Sequence, residues 1–138
     1  MLGAKIGEDV GKVTGARMLP TPGGRYLKNE ISFQAEGTLL GEPATDMGTY
    51  TVEERIPGQL YGEGQGILMT KDGAGIIWNG FGVGTLTGKG MGMKFAAAIS
   101  FQTNVPKYAR LNSVVGVIEH EIDEHMVAKS RMWEWKSA

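Results

Sequence analysis

The sequence predicts an all-β domain: eight antiparallel strands in up-and-down order, closed into a barrel. Three observations carry this. Glycine makes up 22 of 138 residues, about 16% against an average near 7%, and it interrupts nearly every window long enough for three helical turns. Between the glycines, apolar and β-branched residues alternate in short runs bounded by turn chemistry. The connections are short, so successive strands pair as antiparallel neighbours, and closing eight of them removes both exposed edges.

The strands fall at about Gly7–Met18, Glu30–Leu40, Thr45–Arg55, Leu60–Thr70, Ala74–Leu86, Met93–Thr103, Asn112–Ile122 and Met126–Lys136. Pro20-Thr21-Pro22-Gly23-Gly24 ends the first, and Gly41-Glu42-Pro43 separates the second from the third. Pro57-Gly58 has the order of a type II turn, and Asp72-Gly73 is a strong two-residue hairpin signal. Gly88-Lys89-Gly90 and Asp123-Glu124-His125 supply the remaining tight turns. Only Asn104–Leu111, with Pro106 near its start, has room for a short helical turn.

Composition narrows the partners. One domain spans residues 1–138, with 41% apolar residues, so disorder does not explain the glycine content. Fourteen basic residues against fifteen acidic ones give a net charge of −1, which argues against nucleic acid and anionic membrane surfaces. The absence of cysteine removes disulfides and thiol chemistry. No stretch of about 18 apolar residues suggests a transmembrane helix. Met1 to Lys12 holds no apolar run of signal-peptide length, so cytoplasmic residence is the expectation.

With Asp72-Gly73 as a two-residue loop, Lys71 faces Ala74, Gln65 faces Gly80, Glu63 faces Gly82 and Tyr61 faces Gly84. On the other face Gly66, Gly64 and Gly62 oppose Asn79, Phe81 and Val83. Each glycine then meets a larger partner, a way to bend a sheet sharply while keeping it packed. A three-residue loop changes the parity. Carried through Pro57-Gly58, the same register gathers Tyr50, Val52, Tyr61, Glu63, Gln65, Ile67, Met69, Ile76 and Trp78 on one face, expected to line the lumen. Polar groups in a mostly apolar wall are the composition of a small-ligand cavity. The alternative is that they satisfy one another, or that the faces are reversed and Glu63 meets water.

The predicted ligand-binding residues are therefore Tyr50, Tyr61, Glu63, Gln65 and Trp78. Arg131 joins them if it enters the lumen as a counter-ion; otherwise Arg131, Trp133 and Trp135 form a packing face, with Ile118 and Gly116 on the same side. Glu63 is the candidate catalytic residue, because desolvation over a glycine gap raises a carboxyl pKa toward neutrality, whereas a nearby Arg131 opposes the rise. The opposite face, carrying Leu60, Leu68, Ile77, Phe81 and Val83, is too apolar to be left wet. A homo-oligomer, most simply a dimer, is expected to cover it.

Other motifs fail. Gly88-Lys89 has Val83 where a P-loop needs glycine, and Gly82-x-Gly84 is followed by Thr87 with no helix pattern. His120 and His125 stand among Glu119, Glu121, Asp123 and Glu124, but strand alternation points His120 away from Glu119 and Glu121. No metal and no cofactor are expected, and no serine sits in a nucleophile elbow.

Several segments together carry a family resemblance: Gly15-Ala16-Arg17-Met18-Leu19-Pro20, Asp46-Met47-Gly48-Thr49-Tyr50, Leu60-Tyr61-Gly62-Glu63-Gly64-Gln65-Gly66, Leu68-Met69-Thr70-Lys71-Asp72-Gly73, Pro106-Lys107-Tyr108-Ala109-Arg110-Leu111-Asn112 and Trp133-Glu134-Trp135. Across nearly all its length the chain resembles uncharacterised prokaryotic proteins with the allene-oxide-cyclase-like, calycin-like (lipocalin-like) eight-stranded barrel. The resemblance implies the barrel and no catalytic motif, because such barrels include cyclases and proteins without known activity. Three functions stay open: a binding module for a small, largely apolar molecule, an isomerase or cyclase using a lumen carboxylate, and a filled barrel acting through its surface.

Overall fold

The fold is given by a computed structural model that describes residues 2–137. Eight strands follow one another around a closed barrel: β1 (Leu2–Met18), β2 (Lys28–Leu39), β3 (Glu42–Ile56), β4 (Gln59–Thr70), β5 (Gly75–Leu86), β6 (Met93–Gln102), β7 (Val115–Ile122) and β8 (Val127–Trp135). Every adjacent pair is antiparallel, and β1 closes the ring by pairing with both β2 and β8. Among the described residues, no helix is long and apolar enough to cross a membrane.

The segment expected to hold a helical turn forms a short 3-10 helix, Pro106–Ser113, between β6 and β7. It buries Tyr108 and Leu111 in the barrel core. The Tyr108 hydroxyl donates to both Asp72 oxygens at 3.2 Å, and Lys107 Nζ lies 3.1 Å from Asp72 and from Glu42. The cap is thereby tied to the β2–β3 and β4–β5 turns.

The registers differ from the expectation by one residue at three places, each for a local reason. The β4–β5 turn has three residues, Lys71-Asp72-Gly73: Thr70 N donates to Ala74 O, Gly73 N donates to Thr70 O, and Gly73 sits at φ +90°. Glu63 consequently faces Phe81 rather than Gly82, and Gln65 faces Asn79. In the β3–β4 hairpin Ile56 faces Gln59 as expected, but Arg55 is extruded as a bulge, so Tyr50 opposes Gly64. The β7–β8 turn is also longer than two residues, with Met126 at φ +64° and Asp123 Oδ1 accepting from the amides of His125 and Val127. Ile118 then pairs with Met132, and Arg131 pairs with Glu119.

A one-residue slip moves a whole side-chain set to the other face. Tyr50, Val52, Ile76 and Trp78 point inward as expected, whereas Tyr61, Glu63, Gln65, Ile67, Met69 and Arg131 do not. Leu60 and Leu68, expected outside, are buried, while Ile77, Phe81 and Val83 remain exposed on the outer face. Gly116 and Ile118 lie with Met132, not with Arg131.

The glycine pairing is corrected too. Gly62 opposes Gly82, Gly64 opposes Gly80 and Gly48 opposes Gly66; of the six glycines expected to face larger residues, only Gly66 and Gly84 do so across β4 and β5, against Trp78 and Leu60. Curvature still comes from glycine, but through close approach of backbones. A Cβ on Gly80 would overlap the Ala98 carbonyl oxygen and come within 2.8 Å of Ile99 Cα. At Gly62 the nearest atom would be the Thr51 carbonyl oxygen at 3.4 Å, an ordinary contact.

The two glycines should therefore answer differently to one added methyl. Gly80→Ala is expected to lower the urea midpoint by the equivalent of about 1–3 kcal/mol, the cost of overpacking against a backbone that cannot move aside. Gly62→Ala should stay within about 1 kcal/mol of the parent.

Candidate functional site

The lumen is apolar toward both ends and polar in the middle. Leu39, Leu68, Ile76 and Phe101 pack toward the capped end, and Ile31, Val52, Leu60, Met93 and Ile122 toward the other. Between them lies a cavity of about 100 Å³. It exists because the wall there is bare: Gly62, Gly64, Gly80 and Gly82, two facing pairs, all line it.

Trp78 enters this space because the Gly48–Gly66 pair offers no side chain in its way. A Cβ on Gly48 would lie 2.5 Å from the indole ring, and one on Gly66 closer still. The indole Nε1 donates to Asp46 Oδ1 at 2.8 Å. Asp9 of β1 lines the same cavity as Asp46, on the far side of β2. Gly37 of β2 is the strand partner of Asp9, and a Cβ there would overlap the Glu8–Asp9 backbone. Burial pushes the Asp9 carboxyl up to about 6. Burial, and then the charge of Asp9, push Asp46 up to about 8, against the bond from Trp78.

Beside the carboxyls runs a second polar chain. His120 Nε2 lies 2.9 Å from Tyr50 Oη and its Nδ1 lies 2.7 Å from Ser130 Oγ. Burial pulls His120 down to about 4 and raises the Tyr50 phenol. The imidazole is neutral at pH 7, so one ring nitrogen donates and the other accepts, and the chain runs either from Tyr50 to Ser130 or the reverse. Ser130 is the cross-strand partner of Asp9, which places the two polar groups side by side. Phe33, Tyr50, Phe95 and His120 pack as mutual ring contacts with centroids 5.5–6.3 Å apart, and Trp78 stacks on Phe33 at 6.3 Å.

Of the residues proposed from sequence, the structure brings Tyr50 and Trp78 together around the cavity. Glu63 lies along the glycine wall, but its carboxylate is exposed and accepts a hydrogen bond from Tyr61 at 3.0 Å. Tyr61 stacks on Phe81 at 6.4 Å and lies under the Arg55 guanidinium. The Gln65 amide donates to the Thr49 carbonyl at 3.2 Å. Arg131 pairs with Glu119 at 3.0 Å on the outer wall and does not act as a counter-ion inside. Asp9, Asp46, His120 and Ser130 were missed. Alternation signals them: Asp46 shares the parity of Tyr50, and His120 that of Ile118 and Ile122.

No family model and no curated protein matches the chain. Its fold is similar to solved structures of bacterial proteins. A conserved protein of unknown function from Rhodopseudomonas palustris superposes with a TM-score of 0.76 at 14% identity, covering 98% of this chain and 99% of that one. A protein with unknown function from Clostridium acetobutylicum ATCC 824 gives 0.81 at 12% identity, over 96% and 98%. A beta-barrel like protein from Acinetobacter baumannii AYE gives 0.79 at 15% identity, over 97% and 94%. At such identities the likeness concerns the barrel alone, and the allene-oxide-cyclase-like assignment gains nothing from it.

The shifted carboxyls make a pH prediction. The folded Asp46 holds its proton to about pH 8, whereas the unfolded chain has already released it, so folding stability falls as pH rises through that value. His120 acts in the opposite sense and lower down, its contribution being lost as pH falls from about 6.5 toward 4. Between pH 7 and about pH 9, urea unfolding should register a loss of about 1–2 kcal/mol. Asp46→Asn, which keeps an acceptor for Trp78, should flatten that slope.

Proposed function

We propose that the barrel is a binding module whose lumen takes a small molecule with an apolar body and one hydrogen-bonding head. The observation that carries this is the cavity between two apolar layers, with Asp9, Asp46, Tyr50, His120 and Ser130 converging on it. A barrel serving only as a scaffold has no use for buried carboxyls beside a hollow, since unpaired buried charge is costly. The volume limits the guest to roughly four or five non-hydrogen atoms, given that a cavity of about 150 Å³ accepts benzene. A lipid-sized ligand exceeds that volume.

A second reading, acid–base catalysis of an isomerase or cyclase type, is favoured by one feature. A carboxyl that titrates near neutrality stands beside a directional Tyr–His–Ser chain. In that reading Asp46, not Glu63, is the acid or base. The allene-oxide-cyclase-like resemblance supports it only through the shared barrel.

We also propose that a second copy of the chain covers the outer face of β5, where Ile77, Phe81 and Val83 are each about half exposed. Tyr61 stacked on Phe81 extends the strip to β4, and the two-fold dimer is the commonest closed assembly.

Xenon tests the cavity. Under pressure it should shift the methyl resonances of Ile99, Ile118 and Met132 saturably, and Gly62→Ala should weaken the effect several-fold; no response at those methyls would remove the binding reading. Sedimentation equilibrium at tens of micromolar should give a dimer, and Phe81→Lys should convert it to monomer.

A further inference from the structure

Within the reading of the lumen as a binding site, we infer that its guest is a small organic cation, an alkylammonium held between the Asp9–Asp46 carboxyl pair and the aromatic side chains of Phe33, Tyr50, Trp78 and Phe95. Asp9 and Asp46 line the same small cavity, and two carboxyls sharing such a space repel as anions and retain one proton, so the pair keeps one negative charge. Among the described residues that line the cavity there is no lysine or arginine. The basic side chains of the strands around it, Lys94, Lys129 and Arg131, are exposed, and Arg131 is taken by Glu119. The remaining base, His120, is occupied on both ring nitrogens by Tyr50 and Ser130, and burial keeps it neutral.

The donor to the pair from elsewhere is the Trp78 indole, which serves one oxygen of Asp46. The other carboxyl oxygens of the pair belong to a mostly apolar cavity wall, where an unpaired charge is expensive and a guest ammonium would neutralise it. The surrounding rings act in the same direction. The face of an aromatic ring carries negative quadrupole potential, and a cation within about 6 Å of it is attracted. Phe33 meets Tyr50 at 6.1 Å and Trp78 at 6.3 Å between centroids, and Phe95 closes on Tyr50 at 6.1 Å. Carboxyl oxygens for the N–H groups, rings for the charge and Ile99, Ile118 and Met132 for the alkyl body make a complete set of contacts. A metal ion fits poorly, because no group of three or more ligating side chains is assembled among the described residues.

The test compares isobutylammonium with isobutanol, which share shape and size and differ in charge. Titrations at pH 7.5, followed by the Trp78 indole ¹H–¹⁵N resonance, should give at least tenfold tighter binding for the ammonium. The Asp9→Asn/Asp46→Asn double variant, which removes the charge, should reduce that preference to less than threefold, whereas either single variant keeps one carboxylate and should retain it. Equal or tighter binding of isobutanol overturns the inference and leaves the binding module standing. The same holds for an ammonium preference that survives in the double variant. If neither compound binds while xenon still enters, the cation fails alone; if xenon also fails, the proposed function fails with it.

Discussion

An eight-stranded sheet closes only where its strands bend, and in this barrel the bending is made by glycines on the inner wall. Where Gly80 and Gly64 stand, the neighbouring backbone occupies the space a Cβ would need. The same residues hollow the lumen, since two facing glycine pairs leave a stretch of wall with no side chains. They also seat Trp78, whose ring lies against Gly48 and Gly66. Curvature, cavity and the placement of the indole are therefore one device. A substitution at Gly64 or Gly80 presses on neighbouring backbone, one at Gly48 or Gly66 on the indole, and one at Gly62, whose surroundings leave room, only fills the hollow.

The indole in turn organises the charge. By donating to Asp46 it fixes one carboxyl in the middle of the lumen, and Asp46 engages Asp9 across β2. Such a pair is a poor source of stability, because desolvation offsets what the hydrogen bonds contribute. A buried polar belt between two apolar layers is the usual mark of a site, where strain is retained and stability comes from elsewhere. Here it comes from the apolar ends, from the closed ring of paired strands and from the Pro106–Ser113 cap. The His120 chain adds order without charge: with both ring nitrogens engaged, its tautomer and orientation follow from Tyr50 and Ser130.

The sequence by itself determined the architecture. Glycine frequency, strand alternation and legible turns suffice for eight antiparallel strands, because these are local properties and short connections leave neighbours few other ways to pair. It also determined that the lumen mixes polar and apolar groups, and it placed Tyr50 and Trp78 there. What only the tertiary structure decided was parity. Asp72-Gly73 reads locally as a two-residue turn, but Asp72 is held by Lys107 and Tyr108 of the cap, and Thr70 closes on Ala74 around three residues. Arg55 is extruded, and Asp123 binds two amides of a longer loop. Each event adds one residue on one side of a hairpin, and in a strand one residue exchanges inside for outside. Glu63, Gln65 and Arg131 thus went to the surface, while Asp9, Asp46 and His120 make the site. Alternation groups residues by parity, but which parity faces the lumen turned on these hairpin details, one of them set by the distant Lys107 and Tyr108.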